Sequence, residues 1–106
     1  MPGFNSKDYI PAGIRLPHGA PPAWGRLAYV DSAGCELVSR FELKEGSGAA
    51  LEFDLGDETF SDIMSRVRSR RRDPEGYFTY EIAFTNELQR KNLQLALSRL
   101  QGGDVV

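Results

Sequence analysis

Five of the seven residues from Arg66 to Arg72 are arginines, the densest charge in this chain. A guanidinium is a planar fork of N–H donors that pairs phosphates or carboxylates in bidentate fashion and stacks on aromatic faces. In an extended strand Arg66, Arg68 and Arg70 fall at period two and share a face. That stripe fits a phosphate-bearing ligand or an acidic protein surface. Its plainer role is charge that keeps a solvated strand from pairing with other chains. The second chemical cluster is Asp31-Ser32-Ala33-Gly34, which offers a carboxylate, a hydroxyl and a glycine in one short turn. Asp and Ser bond to nearby backbone N–H groups, and glycine lets the chain reverse or come close to another group.

Catalytic arrangements are poorly supplied. His18 stands in a Pro/Gly loop, and Cys35 is the only thiol, so His and Cys cannot make up a metal quartet. The same loop gives His18 no rigid placement for a triad. Cys35 alternates with strand residues as a small core side chain would. Glu52 and Asp54 flank Phe53 on the polar face of a strand, which reads as solvated surface rather than an acid pair. Gly46-Ser47-Gly48 lacks the lysine and helix of a phosphate loop. The pattern predicts a protein that is not an enzyme and carries no metal or resident cofactor.

The elements that must position these groups are mostly strands. Leu27 and Tyr29 alternate before the turn, and Cys35 and Leu37 alternate after it, which predicts a hairpin. Ile14-Arg15-Leu16 is a short first strand, and the prolines at 17, 21 and 22 make a loop that Trp24 closes against the core edge. Leu51, Phe53 and Leu55 mark a half-buried strand. Phe60 to Arg70 is a long one, with a bulge where Ile63 and Met64 break the alternation. Asp73-Pro74-Glu75-Gly76 is a turn, and Phe78, Tyr80, Ile82 and Phe84 share a face. The period then changes. Thr85 or Asn86 caps a helix whose inner face holds Leu93, Ala96, Leu97 and Leu100, and Gly102-Gly103 ends it. Leu88 and Leu95 lie seven apart on another side and form a candidate partner contact, or the margin of a broad buried face.

Strands in hairpin order without crossover helices argue an antiparallel barrel or sandwich followed by one helix. At 106 residues, with 41% hydrophobic and 26% charged content, there is one core and one domain. The expected division is an arm over 1–11, flexible and docking by its aromatics, a barrel with its helix over 12–101, and a tail over 102–106. A net charge of -2 gives no general pull toward nucleic acid or membrane. No signal pattern or apolar run long enough to span a bilayer is present, and the lone cysteine fits a reducing compartment. A soluble, cytoplasmic location is expected.

Val30 to Leu37, Leu43-Lys-Glu-Gly46, Leu51 to Leu55 and Tyr80 to Phe84 ahead of a terminal helix resemble a PilZ domain. The resemblance spans roughly Ala12 to Leu100. It implies a small six-stranded antiparallel β-barrel with a C-terminal α-helix, serving bacterial cyclic di-GMP signalling either as a receptor or as a partner of other regulators. The family's receptors carry Arg-x-x-x-Arg in an arm before the barrel and Asp/Asn-x-Ser-x-x-Gly at a strand turn. Here the arm reads Phe4 to Ile10 with Lys7 as its one cation, and Arg15 is the first arginine. The turn is short: aligned on Gly34 it puts Tyr29 and Asp31 at the motif's first two positions, and aligned on Asp31 it puts Ala33 on the Ser and Glu36 on the Gly. Arg66-Val-Arg-Ser-Arg70 has the arginine spacing, but in a late strand rather than an arm. The expectation is a regulatory module acting through a protein partner or a second copy, with Leu88 and Leu95, or Arg66, Arg68 and Arg70, as contacts. The alternative is a receptor holding cyclic di-GMP with Lys7, Arg15, Arg26, Asp31, Ser32 and Gly34. Nucleic-acid binding by the arginine stripe is the weakest of the three, given the negative net charge.

Overall fold

The computed structural model describes the backbone of residues 3–100, with side chains from residue 10 onward. Six strands form a closed barrel in the order β1-β2-β3-β6-β5-β4: β1 Gly3–Arg15, β2 Ala23–Asp31, β3 Gly34–Ser39, β4 Gly48–Leu55, β5 Glu58–Arg72 and β6 Phe78–Phe84. The helix α1, Glu87–Ser98, comes after them. Every strand pair is antiparallel. The core is the inner face of the barrel, where Leu27, Val30, Leu37, Leu51, Val67 and Tyr80 are fully buried, together with Leu93 and Leu97 of the helix. The expected barrel and terminal helix are both present.

Several boundaries differ from the sequence expectation. The residues expected as an arm are strand from Gly3, with Gly3 opposite Asp31, Asn5 opposite Tyr29 and Ile10 opposite Leu27. Hydrogen bonding to β2 outweighs the weak apolar periodicity there. The expected 102–106 tail and the Gly102-Gly103 stop lie outside the described residues. In β2 a register shift between Leu27 and Tyr29 takes Ala28 out of the ladder, so Leu27 and Val30 point inward and Tyr29 outward. The strict alternation expected for Leu27 and Tyr29 therefore fails at a bulge.

In β5 the bulge lies at Ser61 and Asp62, just before the expected Ile63-Met64, and Asp62 takes a φ of 56°. Trp24 does not close a loop onto the core. It sits in β2, is 64% exposed and meets Phe41 edge-on at 4.8 Å.

The helix begins where expected: the Asn86 side chain accepts from the Gln89 N–H at 2.9 Å. Leu93, Ala96 and Leu97 are buried, while Leu100 lies past the helix end and is 38% exposed. Gln89 ties α1 to the β5 bulge, its amide donating to the Asp62 carbonyl at 2.8 Å and its carbonyl accepting from Met64 N–H at 2.8 Å. The helix thus covers the barrel end that carries the β2–β3 turn.

Candidate functional site

The β2–β3 turn is held by its own acid. Asp31 Oδ1 accepts from the N–H groups of Ala33 (2.8 Å) and Gly34 (2.9 Å), and the Tyr29 hydroxyl donates to Oδ2 at 3.1 Å. Burial first, then the bond to Asp31 and its negative charge, push the Tyr29 phenol up. Ser32 is buried, its carbonyl accepts from Arg90 Nε at 3.3 Å, and the Ala33 carbonyl accepts from Phe84 N–H at 2.8 Å. Gly34 packs directly on the β6 backbone. Asp31 thus holds the turn, Gly34 seats it on β6, and the Ser32 carbonyl joins it to the helix. Asp31 also borders a hollow of about 360 Å³ shared with Tyr29, Glu36, Arg68 and Glu81.

The candidate cations are not gathered at this turn. Arg15 is ion-paired with Asp62, and its neighbour Ile14 pairs with Ala23 at the start of β2, whereas Asp31 ends that strand. Eight residues of strand separate the two ends, roughly 26 Å. Arg26 lies between them, its guanidinium 5.9 Å from the centre of the Tyr77 ring. The backbone of Asn5 runs beside Tyr29, so Lys7 belongs to a segment next to the turn strand, but its side chain lies outside the described residues.

The arginine stripe is broken. A register shift between Val67 and Ser69 takes Arg68 out of the ladder, which changes the face on which the later residues of β5 fall. Arg66 donates to the Gly46 carbonyl at 2.7 Å, Arg70 pairs with Glu42 at 2.8 Å, and Arg71 stands 3.9 Å from Glu36. Arg70 and Arg72 both lie over Phe78, at 5.4 and 5.8 Å from the ring centre. The expectation of one face shared by Arg66, Arg68 and Arg70 is corrected by that bulge.

On α1, Leu88 and Leu95 are 68% and 60% exposed. Leu95 borders a hollow of about 380 Å³ with Phe60, Ile63 and Arg99. The larger concavity is elsewhere. A cleft of about 930 Å³ opens on the outer face of β4, β1, β2 and β3, with Trp24, Arg26, Arg40, Glu52, Asp54 and Tyr77 around it. Sequence reasoning gives no site role to Gly13, Trp24, Arg40 or Tyr77. The signal that could have found them is a glycine inside a strand beside an exposed tryptophan.

Cys35 is buried, and burial followed by the charges of Asp31 and Glu36 pushes its thiol far up, away from the reactive thiolate. Among the described residues no three His, Cys, Asp or Glu side chains stand close enough to hold a metal ion.

No protein-family model and no curated protein matches the chain. Solved structures do. Escherichia coli YcgR in complex with c-di-GMP superimposes with a TM-score of 0.74 at 16% identity over 96% of this chain, which spans 45% of that one. The isolated PilZ domain of YcgR with c-di-GMP gives 0.65 at 16% identity, covering 96% of this chain and 93% of that one. The PilZ domain of CeSA from a cellulose-synthesizing bacterium gives 0.59 at 13% identity, covering 98% and 99%. The fold is that of a PilZ domain. In this barrel of PilZ-like fold the first hairpin reverses within Asp31 to Gly34, and Arg90 of the terminal helix reaches over to bond it.

Proposed function

We propose that this chain is a non-enzymatic, cytoplasmic PilZ-type module of bacterial cyclic di-GMP signalling that acts through protein contact, with weak or no binding of the dinucleotide itself. One observation carries the reading: Asp31 is committed to the N–H groups of the turn, Gly34 is packed on β6, and Ser32 is buried with its carbonyl bonded to α1. The ion pairing of Arg15 with Asp62 supports it. The contact surface is the outer side of α1, where the two large apolar side chains of Leu88 and Leu95, about two turns apart, face water. The broken arginine face of Arg66, Arg68 and Arg70 is a second candidate.

Sedimentation tests the helix. If the partner is a second copy, the wild-type chain sediments above monomer mass, and changing Leu88 and Leu95 to Ser returns it to monomer. A wild-type monomer removes self-association, and an assembly unmoved by the double change removes the stripe.

The receptor alternative draws support from the register that lays the start of β1 beside Asp31, so Lys7 lies close by in sequence. Calorimetric titration with cyclic di-GMP separates the two readings. A micromolar, salt-sensitive heat lost on Asp31→Ala favours the receptor, and no heat favours the contact module.

A further inference from the structure

A cross-strand row on the outer face of the barrel contains a gap. Glu52 of β4 pairs with Gly13 of β1, and Gly13 pairs with Trp24 of β2, so all three face the same way. Glu52 and Trp24 carry exposed side chains, and Gly13 carries none. Neighbouring strands lie about 4.8 Å apart, which leaves a slot about 10 Å across between an acid and an indole. Nothing in the backbone requires glycine there: a Cβ at Gly13 would meet only Glu52 Cβ, at an ordinary 3.9 Å. A mid-strand glycine weakens a strand and often marks a bulge, a bend or a close approach by a ligand, and the β1 register runs without a shift from Ile10 through Gly13 to Ile14. Beyond Trp24 the cleft continues to Tyr77, where the Arg40 guanidinium lies 4.7 Å from the ring centre. Arg40 makes no ion pair among the described residues.

We propose that this cleft is a binding site for a purine mononucleotide: the base enters the slot over Gly13 against Trp24, and the phosphate meets Arg40. The chemistry is directional. An indole face stacks on any base, and a guanidinium forks onto phosphate oxygens. Glu52, at the far wall, repels phosphate and accepts from the ring N–H or exocyclic amino group of a purine. The volume of about 930 Å³ falls within the range of small-molecule sites. The site lies at the opposite end of β2 from the hairpin turn, and it stands or falls independently of the proposed contact role.

Trp24 is the only tryptophan, so its emission reads the slot directly. Titration of the full chain with GMP and AMP should give saturable changes at sub-millimolar concentration, and ribose 5-phosphate should give none. Arg40→Gln should weaken binding roughly tenfold, as loss of one charge-assisted pair would. Gly13→Val should abolish it by filling the slot while leaving the melting temperature within a few degrees of wild type. No saturation at millimolar GMP and AMP overturns the proposal, as does equal affinity in Arg40→Gln and in a folded Gly13→Val. A response to a single-stranded oligonucleotide but not to mononucleotides also overturns it, in favour of a nucleic-acid surface.

Discussion

A Cβ on Gly34 would stand 1.9 Å from the carbonyl oxygen of Ile82. The obstacle is backbone on the paired strand β6, where Gly34 lies opposite Ala83, so no rotamer change relieves it. Gly34→Ala must push β3 away from β6 at the point where the hairpin meets the helix. A loss of about 2–3 kcal/mol is expected, the upper range for overpacking. Urea denaturation followed by far-UV circular dichroism checks it, and an unchanged midpoint would show that the strands separate freely.

Tyr80 closes the other end. Its hydroxyl donates to the Phe41 carbonyl and accepts from the Leu43 N–H, each at 2.7 Å, and its ring is fully buried. Tyr80→Phe keeps the packing and leaves the buried Leu43 N–H without its partner. The expected cost is about 1–3 kcal/mol in the same denaturation assay. Faster hydrogen exchange at Leu43 would be the local signature.

The helix cap is a smaller and separable contribution. Asn86→Ala removes the oxygen that receives the Gln89 N–H, at a typical cost of about 1 kcal/mol. Asn86→Ser should recover most of it. Equal melting temperatures for the Ala and Ser variants would show that the Gln89 bonds to Asp62 and Met64, not the cap, hold the first turn.

Alkaline pH should destabilise the domain. Burial, with Asp31 and Glu36 nearby, pushes the Cys35 thiol up. Tyr29 and Tyr80 are also raised, chiefly by burial. The native state therefore keeps these protons at pH values where the unfolded chain has released them. Stability is full below the ordinary thiol range and falls as pH rises through it, by up to about 1.4 kcal/mol per pH unit for Cys35 alone. Denaturation at several pH values above neutrality reads the slope, and Cys35→Ala should flatten its first part. A thiol reagent should leave Cys35 untouched until the chain unfolds.

The barrel is legible in the sequence because its inner face alternates cleanly at Leu51, Phe53 and Leu55 and at Tyr80, Ile82 and Phe84, and because the period changes after Asn86. The bulges are not. Ala28 and Arg68 leave no mark in an apolar pattern, since a bulge depends on which residues oppose each other across strands. That is why simple alternation puts Tyr29 and the arginine stripe on the wrong faces. Residues 3–11 lack alternation, and their pairing with β2 is visible only once the partner strand is in place. The residues of the turn, and the bonding of Asp31 to nearby backbone N–H groups, can be read from sequence, but not that Arg90 of the helix holds the Ser32 carbonyl. The outer cleft depends on a row of three strands that no linear spacing encodes.

Strand β2 runs from Ala23 to Asp31 as one wall of a closed cylinder, with the cleft at one end and the helix seated over the other. It is paired along both edges, to β1 and to β3, and its ladder to β3 is interrupted at Ala28. If a protein docks on α1 as proposed, the direct way for a molecule arriving at the Trp24 end to reach it is to add its own surface to that protein's contact.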